Sequence, residues 1–119
     1  MTDFREIKEW EKAHELTVAV YQVTKGFPEE ELMGLTQQIR LACSQIPIKI
    51  AQGCNKEDKD EQASYLELAS DSVIEVEYFL LLCYELEMLK IYDYDRLVST
   101  VVEVKVLLED LIDKLNRSF

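Results

Sequence analysis

Residues 38–54 read QIRLACSQIPIKIAQGC, and this stretch combines the periodicity of a helix with a residue that interrupts helices. Its apolar residues recur at three- and four-residue steps between Ile39 and Ile50, as they do in an amphipathic helix. Pro47 lies inside that pattern, although a proline in a helix interior removes a backbone donor and costs about 3 kcal/mol. The stretch therefore predicts a helix in which another interaction offsets the cost of Pro47.

The same periodicity extends through the rest of the chain and divides it into four helices. Only VVEVKV, residues 101–106, alternates like a strand, and six heptad matches between Leu97 and Leu115 outweigh that signal. The predicted helices cover about residues 4–25, 29–52, 58–89 and 93–116. Because the joints are short, the prediction is an all-α fold, an antiparallel up-down-up-down four-helix bundle forming a single domain over residues 1–119.

The composition is typical of a cytoplasmic helical domain rather than a sheet, membrane or secreted protein. Hydrophobic residues make up 48% of the 119 residues, and three glycines and two prolines are too few for many tight turns. No apolar run approaches the ~20 residues that span a bilayer. The first residues, MTDFREIKEWEK, are charged where a signal peptide is apolar. We therefore expect a cytoplasmic protein without a membrane partner.

Acidic residues dominate the charge pattern, with a net charge of −11 from 24 acidic and 13 basic side chains. Between Lys59 and Lys90 there are eight acidic residues and no basic one. Such a surface repels the phosphate backbone of a nucleic acid. The candidate weak nucleic-acid face is formed by Arg5, Lys8 and Lys12, which share one side of the first helix. Direct nucleic-acid binding is possible but disfavoured by the net charge.

No arrangement of residues indicates an enzyme, a metal site or a bound cofactor. His14 is the single histidine, so the unit Glu11-x-x-His14 lacks the second histidine that a di-metal bundle needs. Cys43, Cys54 and Cys83 have no CxxC spacing, and the role of Cys54 is left open. We therefore expect no catalytic, cofactor-binding or metal-binding residues.

The third predicted helix carries two apolar seams, whereas a bundle helix in a monomer needs one. The first seam runs from Ala63 to Cys83 and the second from Tyr65 to Leu89. Either the C-terminal half of this helix lies unusually deep in the bundle, or part of it contacts another chain, and we expect self-association. The candidate oligomer interface comprises Pro47, Tyr78, Phe79, Leu82, Leu86 and Leu89.

A candidate structural polar pair is formed by Arg40 and Glu75 near the bundle seam. Tyr84 is another candidate donor to Glu75, and a solvated acidic face is the alternative interpretation. A catalytic pair of Glu75 with Glu77 is not expected, because side chains two residues apart on a helix diverge by about 200°.

Five motifs in a fixed order resemble the intervening-sequence proteins, a family of small four-helix bundles named for genes inside insertions in bacterial large-subunit ribosomal RNA genes. The resemblance covers nearly the whole chain. The motifs are Trp10-x-x-Ala13-His14-x-Leu16, Phe27-Pro28-x-x-Glu31, Leu35-Thr36-x-Gln38-Ile39-Arg40-x-Ala42, Ile46-Pro47-x-x-Ile50-Ala51-x-Gly53 and Ala69-x-x-Ser72-x-x-Glu75-x-Glu77.

This resemblance implies a bundle whose second helix is kinked at Pro47 and which assembles as a homopentameric ring. A kink there frees the carbonyl group near Cys43 for another partner. Two interpretations of Pro47 stay open, a subunit contact and a kink used only for internal packing. A related branch of the family comprises the accessory proteins of diversity-generating retroelements, basic pentamers that bind RNA and a reverse transcriptase.

The chain departs from its relatives at positions that bear on RNA binding. Leu41 stands where a second arginine often follows Arg40, and Gln52 replaces a glutamate. Residues 54–58, CNKED, replace a basic run. The leading hypothesis is therefore a non-enzymatic, homo-oligomeric scaffold with an unidentified protein partner. The alternative is a nucleic-acid-associated protein that binds structured RNA or a reverse-transcriptase complex.

Overall fold

Four α-helices form a bundle in the computed structural model, which describes residues 3–117. No strand occurs within this range, so residues 101–106 are helical, as the longer periodicity predicted. Residues 1, 2, 118 and 119 of the predicted domain lie outside the described residues. The helices are numbered in chain order: α1 is Lys8–Thr24, α2 is Gln37–Cys54, α3 is Lys59–Glu85 and α4 is Ile91–Arg117.

Each helix packs against two others, because α1 and α3 both contact α2 and α4. The first predicted seam of α3, from Ala63 to Cys83, is buried in the shared core. Val101 and Val104 of α4 are completely buried, which explains why the β-branched run is helical here. Within residues 3–117 no helix combines the length and the apolar character that a membrane span requires.

The direction of the chain can be followed in the contacts between α1 and α2. Thr17 contacts Cys43 and Thr24 contacts Arg40, so a later residue of α1 meets an earlier residue of α2. This is the pattern expected of antiparallel neighbours. The joints at residues 55–58 and 86–90 are also short, as is typical of antiparallel bundles.

The segment before α2 is irregular, which the sequence did not predict. A 3₁₀ turn at Glu29–Glu31 leads into a π-helical stretch, Leu32–Thr36. Inside that stretch Gly34 departs from helical geometry with φ −115° and ψ −113°. The helix predicted from residue 29 is therefore regularly α-helical only from Gln37 onward.

Pro47 is buried, and α2 continues through it to Cys54. Because Pro47 has no N–H, it cannot donate to the Cys43 carbonyl one turn earlier. The hydroxyl of Thr17 on α1 lies 3.3 Å from that carbonyl oxygen and 2.9 Å from the Ala13 carbonyl oxygen. The Thr17 hydroxyl has one proton, which it shares between these two carbonyl oxygens, so the Cys43 carbonyl has a donor within reach inside the chain. Both interpretations of Pro47 stay open. The kink at Pro47 stays a prediction.

Helix α3 ends at Glu85, four residues before the predicted end at Leu89. The Met88 N–H donates to the Cys83 carbonyl and the Glu87 N–H donates to the Tyr84 carbonyl, which together form a Schellman motif. This motif needs a left-handed residue, and Glu87 occupies it with φ 62°. The helix end was mispredicted because glycine usually marks this position and the sequence has a glutamate there instead.

Replacing Glu87 with glycine is expected to stabilise the protein by about 0.5–1 kcal/mol, because the left-handed conformation strains a side chain with a Cβ. Urea denaturation followed by circular dichroism measures the change. Glu85→Gly is the matched control, and its expected cost is about 1 kcal/mol because residue 85 is still helical. Equal destabilisation by both substitutions would contradict the Schellman geometry.

Candidate interaction surface

The titratable side chains do not gather into a metal-binding cluster in the part of the chain that the structure describes. No group of three or more His, Cys, Asp or Glu residues between positions 3 and 117 is placed to hold a metal ion. His14 is exposed and stacks on Trp10, with 4.8 Å between the ring centroids. The histidine therefore contributes to a surface aromatic cluster.

The three thiols lie in surroundings that favour their protonated form. Burial raises the pKa of Cys43 to about 12 and that of Cys83 to about 11. Partial burial also raises the pKa of Cys54. Reactive cysteines need a lowered pKa, so none of the three has the character of a nucleophile.

We expect the buried thiols to resist modification in the folded protein. At pH 8, Ellman's reagent should modify only the half-buried Cys54, because a raised pKa and burial both protect Cys43 and Cys83. All three thiols should react in concentrated urea. Cys54→Ser is the control that should abolish labelling of the native protein. Rapid native labelling of that variant would contradict the described core.

Helix α2 presents a surface that differs from the rest of this acidic chain. Between Leu32 and Lys56 there is no aspartate or glutamate, although the chain has 24 acidic residues. Two apolar side chains seven residues apart project from this helix, Leu41 with 55% and Ile48 with 42% of its surface exposed. Ser44 and Gln45 lie between them and are half-exposed. We call these four residues the α2 face.

Two hollows border the α2 face. In the hollow shared with α1, Trp10 lies against both Phe4 and His14, with centroid distances of 4.9 and 4.8 Å. This hollow is lined by Phe4, Trp10, His14, Thr17, Ser44, Pro47, Ile48 and Ala51. The hollow shared with α3 is lined by Gln38, Leu41, Ala42, Gln45, Ser72, Glu75 and Phe79. An indented apolar surface with few charges has the character of a protein-binding site.

A second apolar surface covers the outer side of α3 and α4, and we call it the α3/α4 face. Its residues are between 40% and 59% exposed: Ile74, Tyr78, Leu81, Val102 and Val106. At its centre the Lys105 ammonium binds both carboxylate oxygens of Glu77, at 3.0 and 3.2 Å. Residues three or four apart are neighbours on a helix surface, so this ion pair lies among the five apolar side chains.

The predicted oligomer interface is divided by the structure between buried and exposed positions. Pro47 and Leu89 are buried within the chain. Phe79 and Leu82 are half-buried against the core, whereas Tyr78 and Leu86 are exposed. The six residues therefore differ in exposure, and the candidate oligomer interface stays a prediction. The periodicity of α3 led to a predicted interface centred on that helix, and the α2 face was not predicted. The absence of acidic residues from 32 to 56 could have indicated it.

Acidic partners neutralise two of the three residues in the candidate nucleic-acid face. The Arg5 guanidinium donates two hydrogen bonds to Asp3, at 3.0 and 3.1 Å. Lys12 forms ion pairs at 3.0 Å with Glu15 and at 3.3 Å with Glu103. The hydrogen bonds from Lys12 to the carboxylates of Glu15 and Glu103 raise the pKa of Lys12. Little uncompensated positive charge is left on this face for a phosphate backbone.

The prediction that Arg40 pairs with Glu75 is wrong. Arg40 faces α1, where Nε donates to the Thr24 hydroxyl at 2.8 Å and Nη2 donates to the Tyr21 carbonyl at 3.3 Å. Its guanidinium also lies over the Tyr21 ring, 4.7 Å from the centroid. Glu75 is exposed on α3, and the alternative donor Tyr84 stacks on Tyr94 instead. The rotation of α2 about its axis separates the two predicted partners.

Comparisons with known proteins agree with this architecture. The family model described as 23S rRNA-intervening sequence protein matches residues 5–110. A crystal structure of a protein of unknown function from the S23 ribosomal protein family of Bacteroides thetaiotaomicron superposes with a TM-score of 0.81. That protein is 21% identical, and the match covers 87% of this chain and 97% of the other, so it shows the shared fold. No curated protein sequence matches the chain.

Proposed function

Because the chain belongs to the 23S rRNA-intervening sequence protein family, we propose that it is a non-enzymatic cytoplasmic protein that forms homo-oligomers and acts as an interaction scaffold. The α2 face carries this proposal, since Leu41 and Ile48 are exposed in a region without a single acidic residue. When another protein covers a charge-poor apolar surface, apolar area is removed from water and few polar or charged groups have to be desolvated. The family resemblance implies five copies in the assembly.

Light scattering coupled to size exclusion tests the assembly at micromolar concentration. The expected mass is a multiple of the 13.9 kDa chain, and five copies would support the pentamer. Leu41→Asp should weaken the assembly because it places a charge on the apolar α2 face. Gln22→Asp, at an exposed position of α1, is the matched control and should not. A wild-type protein that stays at 13.9 kDa would reject the proposal.

A partner protein is favoured over nucleic acid by the charge distribution. Arg5 and Lys12 are paired with acidic side chains, and the net charge is −11. We expect filter binding to structured RNA to show no tight complex at low or moderate salt. Tight binding that weakens steeply with salt would support the RNA-binding alternative, with Arg5, Lys8 and Lys12 multiplied by the assembly.

Metal analysis tests the non-enzymatic part of the proposal. The protein should purify without stoichiometric iron, manganese or zinc. A metal content near one ion per chain would favour an enzyme instead, because catalytic metals in helical bundles are bound by inward carboxylates and histidines.

A further inference from the structure

We propose that a cavity at one end of the bundle binds a small organic cation, a primary amine on an apolar body, with the Glu9 carboxylate as its ionic partner. All four helices line this cavity, at the end where α1 and α3 begin and α2 and α4 finish. We call it the end cavity, and its volume is about 240 Å³. Its lining residues are Ile7, Glu9, Ile50, Gly53, Cys54, Gln62, Leu66, Leu111 and Leu115.

Glu9 is the one Asp, Glu, Lys or Arg residue whose side chain is buried among residues 3–117, and it is 8% exposed. Its carboxylate makes no hydrogen bond or ion pair with any residue in that range. The first turn of α1, where Glu9 lies, favours a negative charge. Burial of a carboxylate without a direct partner is nevertheless costly. A cation in the end cavity would supply the missing partner.

The other polar groups of the end cavity also select a positively charged donor. Gln62 uses Nε2 to donate to the Lys56 carbonyl at 2.6 Å, so its Oε1 atom stays available as an acceptor. None of the nine lining residues is basic. An anion would therefore be repelled by Glu9, and a neutral apolar ligand would leave that carboxylate buried and unpaired.

A metal ion does not fit the end cavity as well as an organic cation does. Metal ions of the kinds that proteins bind take several carboxylate, imidazole or thiolate ligands. No group of three or more such side chains is placed to hold a metal among residues 3–117. Much of the remaining wall is apolar, including the buried Ile50 and Leu66 and the half-buried Leu111 and Leu115. Such a wall matches the hydrocarbon part of an amine.

The volume of the end cavity limits the size of its ligand. An apolar cavity of about 150 Å³ in a protein core holds benzene, and water occupies about 30 Å³ per molecule in the liquid. The end cavity is about 90 Å³ larger than that benzene site, which is room for about three more heavy atoms. Two carbons and a nitrogen added to benzene give phenethylamine, which is therefore the probe of choice.

Titration with phenethylamine tests the proposal, followed by NMR of isotope-labelled isoleucine and leucine methyl groups. The methyl resonances of Ile50 and Leu66 should shift on binding, with a Kd of about 0.1–1 mM for a ligand of this size. Phenethyl alcohol has nearly the same shape but no charge. It should bind about tenfold more weakly or worse, because it cannot form a charge-assisted hydrogen bond with Glu9.

Glu9→Gln should weaken phenethylamine binding by about tenfold or more and leave the binding of phenethyl alcohol unchanged. Because the substitution removes an unpaired buried charge, the variant should unfold at the same or a higher temperature. Glu11→Gln, at an exposed position of α1, is the matched control and should change neither affinity. Leu111→Phe adds volume to the cavity wall and should abolish the binding of both compounds.

Equal phenethylamine binding by the wild type and by Glu9→Gln would overturn the proposal. Methyl shifts confined to the acidic outer surface of α3, or no shifts at millimolar amine, would also overturn it. The result is independent of the proposed scaffold function. A protein that assembles without binding the amine contradicts only this inference, and a monomer that binds the amine contradicts only the scaffold.

Discussion

Replacing Gly53 with leucine is expected to destabilise the protein by about 3 kcal/mol, because α2 and α3 pack too closely there for a side chain. A Cβ atom at residue 53 would lie 3.0 Å from Cβ of Tyr65 and 3.3 Å from the Gln62 carbonyl oxygen. Neither atom belongs to the flexible end of a side chain. The helices must therefore separate, and the buried contacts between them weaken.

Gly26→Leu is the control for this prediction, because a Cβ at residue 26 meets only the Val23 carbonyl oxygen at 3.8 Å. We expect the control to change stability by less than about 0.5 kcal/mol, as exposed substitutions usually do. Urea denaturation monitored by circular dichroism compares the two variants. An equal cost for both substitutions would show that the helix crossing at Gly53 tolerates extra volume.

Periodicity alone predicted most of this fold. Four apolar stripes identified the four helices, and the buried seam from Ala63 to Cys83 confirms the predicted orientation of α3. The errors lie at positions where the backbone adopts a conformation that the residue type and the surrounding pattern do not predict. Glu87 ends α3 in a position where glycine is typical, and Gly34 breaks the predicted second helix before its regular part begins.

The candidate surface was harder to predict than the fold. An apolar stripe on one helix does not reveal whether a neighbouring helix or solvent covers it, and Phe79 and Leu82 proved to be half-buried against the core. The partner of Arg40 depends on the rotation of α2, which a single sequence leaves undetermined. By contrast, the lack of acidic residues from 32 to 56 is a property of the sequence alone and coincides with the α2 face.

Replacing Thr17 with valine should destabilise the protein by about 2 kcal/mol, because it leaves the Cys43 carbonyl without a donor. Cys43 is completely buried, and Pro47 supplies no N–H to its carbonyl oxygen. Thr100→Val is the matched control. The Thr100 hydroxyl also donates to a carbonyl one turn earlier, that of Arg96, at 3.2 Å. That carbonyl keeps the ordinary helical N–H as a donor, so the control should cost less than about 0.5 kcal/mol.

A double-mutant cycle with Pro47→Ala isolates the link between Thr17 and the proline. Alanine restores an N–H at residue 47 that can donate to the Cys43 carbonyl, so Thr17→Val should then cost about 1 kcal/mol less than it does beside proline. Additive effects of the two substitutions would mean that the carbonyl does not depend on Thr17. A coupling of the expected sign would explain how α2 accommodates Pro47 without a second subunit, because the missing donor comes from the neighbouring helix.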